Sequence, residues 1–328
     1  MKTSAIPIII SSLLVLLTNL GRAYEIAAPQ TSSKECTPVD LRAALGPNRN
    51  QGDIGWCYAN AAADLLTYKY RELLNGEQAS ATYLALAYNK FFFLYPDSEG
   101  GQISLALWPA QHSGFCKQSV EEMVLRSGPQ VPFTKKLEGL LYIKQHFDST
   151  EGASLEYDLQ KYYSNTDSVL VRMPQKHLRD ILSRSTQKNF VKNFADYLCG
   201  GKIVRPQKVS IPHFDIKYWY FGQTYPLMKK IHRELSRKNV VAIGYYASFL
   251  HQDGAAKDPN SSHASVAVGR RWNKAKNTCE ILIRNSWGTT CNGYGAKSLA
   301  EPGACDHGNV WVNENVLKEY LTDIEFFR

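Results

Sequence analysis

Apolar residues recur at three- and four-residue steps from Cys57 to Leu74, at Tyr58, Ala62, Leu65, Leu66 and Leu73, and Asn75 and Gly76 then supply a stop. The pattern predicts a helix with Cys57 at its N-terminus. A second helix is expected from near Ser80 through "ATYLALAYNKFFF", ended by the turn-rich "YPDSEGGQ". Ser119, with Glu122 three residues on, marks a third start for "SVEEMVLRS". Between Pro132 and about Ile203, mixed charge and helical periodicity continue in "KKLEGLLYIKQHF", "LEYDLQKYY", "KHLRDILSR" and "KNFVKNFADYL", which read as a helical insertion. "YPLMKKIHRELSRKN" sets Leu227, Ile231 and Leu235 on one helix face. Beyond it the character changes. "VVAIGYY", "ASVAVGRRW" and "CEILIRNSW" are short runs rich in valine and isoleucine, bounded by Gly, Asn and Pro, and read as strands. Helices first and strands later predict an α+β protein of two layers or subdomains.

The N-terminus departs from this. Lys2 precedes an apolar run from Ala5 to Leu17, and Gly21 and Ala23 follow as small residues before an expected cut. Residues 1–23 read as a secretory signal peptide, since the run is broken by serines and falls short of the roughly 20 apolar residues a membrane span needs. The mature chain is therefore expected to be exported, with no membrane attachment after signal removal, into an extracellular, periplasmic or lysosome-like compartment. Export permits disulfides, and seven cysteines leave at least one unpaired within the chain. Sequence alone does not choose the pairing. No C-x-x-C is present and "CDH" at Cys305 to His307 is too tight for the usual ligand spacing, so no metal or other cofactor is expected. The formal charge of +8 is spread among acids, with no basic stripe, which speaks against nucleic acid as a partner.

A thiol becomes a strong nucleophile only as thiolate, and a helix N-terminus favours the negative charge. Cys57 has that setting, yet a lone cysteine before a helix serves equally well as a small buried hydrophobe. Partners decide. His263, in "SSHASVAVG", opens a predicted buried strand after a polar loop, and Asn285, in "ILIRNSWGTT", ends another. The amide of Asn285 is suited to hold one imidazole nitrogen while the other faces a thiol. A lone histidine at a strand start is otherwise a polar edge residue, and a lone asparagine a turn former.

"NQGDIGWCYA", "SHASVAVG" and "NSWG" resemble, in order, the three motif blocks of the papain-like cysteine peptidases. "TPVDLRAALGPNRNQG" is similar to the segment that opens the mature family enzyme, and "EGGQISLAL" to its double-glycine cleft stretch. The resemblance implies a two-subdomain fold, a helical part and an antiparallel β-sheet or barrel part with the active-site cleft between them. It implies that Cys57 is the nucleophile, His263 its partner, Asn285 the residue that orients His263, and Trp287 a shield over that pair. Gln51, six residues before Cys57, would donate to the oxyanion with the backbone N–H of Cys57. Gly55, Trp56, Gly100 and Gly101 would line the substrate cleft. Domains follow as residues 24–35, a short N-terminal segment, and 36–328, a peptidase domain carrying the insertion at about 132–203.

Four features depart from the family. Ile54 stands where it usually has a cysteine, so one characteristic disulfide is missing. Trp56 replaces a small residue before the nucleophile and Tyr58 a tryptophan after it, and an indole beside the thiol is expected to narrow the cleft. His263 follows Cys57 by 206 residues, against roughly 130–150 in the usual pattern. The insertion accounts for the excess, whether it covers the cleft, binds a partner or decorates the surface. About a dozen residues separate the expected signal cut from the mature-like segment, leaving no long inhibitory propeptide, so control falls to secretion, a separate protein inhibitor or the insertion. A sequon, "NSS" at Asn260, lies just before His263. The expected activity is that of a secreted peptidase on protein or peptide substrates, working through a Cys57–His263 ion pair and an acyl-enzyme. The alternatives are a catalytically inactive binding or regulatory module and an amide acyl-transferase on the same fold.

Overall fold

Every residue from Tyr58 to Thr67 is buried, polar Asn60, Asp64 and Thr67 included. The helix that carries them, Cys57–Lys69, is thus enclosed on all sides, whereas a surface helix has one apolar stripe. It packs on a sheet strand on one side and on helices Ala81–Phe91 and Ile103–Ser113 on the other. The computed structural model describes residues 31–121, 133–150, 174–205, 211–215 and 225–328. The expected signal peptide, the "LEYDLQKYY" helix and most of "SVEEMVLRS" lie outside them. Residues from Ser32 onward form a single unit.

Local chemistry sets the helix ends. Ser80 accepts a hydrogen bond from the Tyr83 N–H, capping Ala81–Phe91 as its position predicts. The Cys57 helix stops earlier than its periodicity suggests. Tyr70 breaks it, and a separate turn, Arg71–Leu74, runs to Asn75 in the left-handed conformation. Ser119 does not cap a helix; the described turn is Gln118–Glu121, and the Ser119 hydroxyl donates to Glu77. Ile103–Ser113, with Pro109 inside it, was not foreseen, because its first residues read as a cleft segment.

Eight strands form one antiparallel sheet among the described residues: β1 Val39–Asp40, β2 His213–Asp215, β3 Val241–Tyr246, β4 Ser262–Asn273, β5 Thr278–Arg284, β6 Cys305–Asp306, β7 Asn309–Asn313 and β8 Leu321–Glu325. Their order is β2-β8-β3-β4-β5-β7-β6, with β1 paired to β4. The three predicted strands are β3, β4 and β5, at its centre. Alternation along them divides the core in two. Ala242, Val266, Val268 and Leu282 join the helical side, and Val241, Ile243, Ala267, Ile281 and Ile283 join the other face. That second face is covered by helix Tyr225–Ser236 through Leu227, Ile231 and Leu235, and by Glu314–Tyr320. The α+β architecture inferred from the sequence is the one observed.

The stretch read as an insertion contributes to the core. Its described helices, Phe133–Ser149, Gln175–Ser183 and Phe190–Cys199, send Leu137, Leu140, Leu178, Leu182, Phe190 and Phe194 into the same core as the Cys57 helix. The Cys116–Cys199 disulfide fastens its end to that core. Cys36 pairs with Cys279 and Cys291 with Cys305, which leaves Cys57 as the free thiol. Among the described residues, no helix is long and apolar enough to cross a membrane.

Candidate active site

Trp56 takes the N-cap position of the Cys57 helix without a capping side chain. The backbone N–H groups of Cys57 and Tyr58 therefore face the Cys57 sulfur, joined by the N–H of Ala264, the residue after His263. These three donors favour a thiolate. Burial outweighs them and pushes the thiol pKa up.

His263 is the second residue of β4, opposite Tyr245 of β3, whose ring meets it edge-on at 5.6 Å. Its Nε2 lies 2.7 Å from Asn285 Oδ1. The orientation of that amide is fixed independently, because Oδ1 also accepts the Ser286 backbone N–H at 2.8 Å and the Ser265 hydroxyl at 3.2 Å. Nε2 therefore carries the proton it donates, and in the neutral ring Nδ1 is left with its lone pair. Burial dominates here as well: it lowers the His263 pKa to about 4, opposed by the Asn285 hydrogen bond and helped by His251. Both changes disfavour charge on either group taken by itself.

Asn285 follows the last residue of β5 and is 1% exposed. Trp287 packs over the ring of His263 at 5.1 Å, and its other neighbours are His251 at 5.3 Å and Tyr294 at 5.5 Å. Gln51 reaches the same region from the loop before the Cys57 helix. Its backbone N–H donates to Ser286 O at 2.8 Å, its side-chain oxygen accepts from the Ser286 hydroxyl at 2.6 Å, and its amide nitrogen donates to Ile54 O at 3.0 Å. One N–H of that amide is thereby used and the second remains for another acceptor.

Gly55, Gly100 and Gly101 belong to two loops that touch. The Gly100 N–H donates to Gly55 O at 3.0 Å, and a Cβ on Gly101 would come within 2.8 Å of the Tyr58 ring. Trp56 is 2% exposed, and its indole N–H donates to Ser98 O at 2.9 Å. The indole therefore faces the interior, a correction to its expected place lining a substrate cleft, and it ties the loop before the Cys57 helix to the double-glycine loop, beside buried Ile54.

The structure thus brings Cys57, His263, Asn285, Gln51 and Trp287 into one region. It adds His251, Tyr245, Ser265 and Tyr294, which no local sequence signal marked. Their places follow from strand register and loop packing.

Comparison with solved structures gives a likeness over almost the whole chain. The proform of the ragweed pollen allergen Amb a 11 cysteine protease aligns at TM-score 0.49 and 14% identity, over 92% of this chain and 66% of that one. A structure bearing on the mite allergens Blo t 1 and Der p 1 aligns at TM-score 0.47 and 16% identity, over 93% and 72%. At these identities the likeness concerns chain trace alone, and this chain spans about two thirds of the ragweed proform. No family model and no curated protein matches the sequence.

Proposed function

We propose that this protein is a secreted cysteine peptidase that cleaves peptide bonds through Cys57, His263 and Asn285. One observation carries the reading. His263 is held by Asn285 through Nε2, leaving Nδ1 for a proton, beside a free thiol at an uncapped helix start. A binding protein needs no such tautomer control.

As the Cys57 sulfur attacks a substrate carbonyl, the C–S bond forms and the thiol proton passes to His263 Nδ1. Negative charge develops on the carbonyl oxygen, where the Cys57 backbone N–H and the second N–H of Gln51 would donate. Collapse breaks the C–N bond, and His263 gives its proton to the leaving amine. Water, deprotonated by His263, then cleaves the thioester and releases the acid. Trp287 keeps solvent from the His263–Asn285 hydrogen bond. Gly55, Gly100 and Gly101 leave room for substrate backbone. Three disulfides suit an oxidising compartment outside the cytosol.

The test is to treat the secreted protein with iodoacetamide or an epoxide, map the labelled residue, and assay casein and mixed peptides with and without Cys57→Ala. Selective labelling of Cys57, with cleavage abolished in the variant, is expected. A Cys57 no more reactive than a free thiol, together with intact substrates, defeats the reading. A screen of other amides and acyl acceptors distinguishes the acyl-transferase alternative.

A further inference from the structure

Asp64 lies two helical turns beyond Cys57, and its side chain is 5% exposed. One carboxylate oxygen takes Arg49 Nε at 2.6 Å and the other takes Arg284 Nε at 2.8 Å. Both guanidiniums are as buried as the acid. Arg49 stands two residues before Gln51, and Arg284 immediately before Asn285.

The remaining guanidinium nitrogens extend the fastening. Arg49 donates to Gln118 Oε1 at 2.9 Å and to Thr67 Oγ1 at 3.1 Å. Arg284 donates to Gly46 O at 3.1 Å and to Pro47 O. Backbone bonds continue the link, with the Gly288 N–H on Arg49 O and the Gln51 N–H on Ser286 O, each at 2.8 Å. None of the three disulfides has an end in the Cys57 helix.

We propose that Asp64 is a positioning residue whose paired arginines set the Gln51 loop and the Asn285 strand end against the Cys57 helix, so that donor, thiol and imidazole share one geometry. Stability does not account for such a triad. Desolvating three charges offsets most of their attraction, and apolar replacements of similar volume often fold as well or better. What well-packed apolar side chains lack is direction. A carboxylate with one guanidinium on each oxygen fixes two neighbours in orientation as well as distance. A misplacement of about 1 Å costs on the order of a hundredfold in rate.

The inference rests on the peptidase reading, and the experiment separates the two. Wild type, Asp64→Asn and the apolar triple variant Asp64→Leu, Arg49→Met, Arg284→Met are compared per titrated active site, by kcat and KM on one fluorogenic peptide, by the pH dependence of kcat/KM, and by thermal midpoint. Both variants are expected to lose kcat by about tenfold to a hundredfold, with KM little changed and the acid limb displaced as His263 shifts against Asn285. The triple variant recovers the midpoint without recovering kcat. Recovery of kcat and the wild-type pH profile along with the midpoint overturns the proposal, leaving the triad a packing feature. Should Asp64→Asn and the triple variant not fold, Arg284→Lys, which keeps the charge but loses the fixed fork, is expected to lower kcat several-fold at an unchanged midpoint; unchanged kcat there overturns the proposal too. A wild-type protein that cuts no peptide defeats the peptidase reading, before any variant is made.

Discussion

The burial of His263 has a measurable consequence in the acid range. His263 has a pKa of about 4 in the folded protein against an ordinary 6.5, because burial penalises its protonated form. A depressed folded pKa means that the unfolded chain binds the proton more readily, so acid favours unfolding. The contribution of this group to stability is full above pH 6.5 and is lost as pH falls toward 4. At 1.36 kcal/mol per pKa unit, the loss between pH 7 and pH 4 comes to about 3 kcal/mol. Carboxylates titrate over the same range, so the perturbation to use is His263→Gln, which removes the imidazole and leaves the other groups in place. Urea unfolding of both proteins at intervals from pH 7 to pH 4 gives the difference in free energy directly. Wild type is expected to lose about 3 kcal/mol relative to the variant across that range. A difference independent of pH refutes the reasoning. It would mean that His263 binds its proton equally well in the folded and unfolded chain, so that burial does not lower its pKa; a wild type that instead gains on the variant as pH falls would mark an ion pair with Cys57.

Three further outcomes follow from contacts away from the thiol. Trp56→Phe removes the indole donor to Ser98 O, with an expected loss of about 1 kcal/mol and a raised KM as the double-glycine loop loosens; thermal melts and peptide kinetics check both. Gly101→Ala drives a methyl group into the Tyr58 ring and is expected to cost about 1–3 kcal/mol, read by urea unfolding, with weaker substrate binding. Replacing Cys116 and Cys199 by serine opens a link across 83 residues of sequence, for which loop-closure entropy gives about 4 kcal/mol, measured by denaturant unfolding against wild type.

Periodicity and composition determined a good deal of this protein. The Cys57 helix, the helix start near Ser80, the described helices between Phe133 and Cys199 and the three central strands were legible because each depends on residues within a turn or two, or on short apolar runs. The order of Cys57, His263 and Asn285, with Gln51 six residues upstream, was legible as motif. Tertiary structure decided what depends on distance across the chain. It paired six cysteines, turned Trp56 inward onto Ser98, and drew the insertion into the core. It set the His263 tautomer through a backbone N–H two residues beyond β5. It also buried the thiol and the imidazole, which pushes the thiol pKa up and the imidazole pKa down, and no local pattern carries how much solvent the surrounding atoms exclude. Asp64 shows the division most plainly. In sequence it is a polar residue amid alanines and leucines; only the fold brings Arg49 and Arg284, the latter 220 residues away, onto its two oxygens.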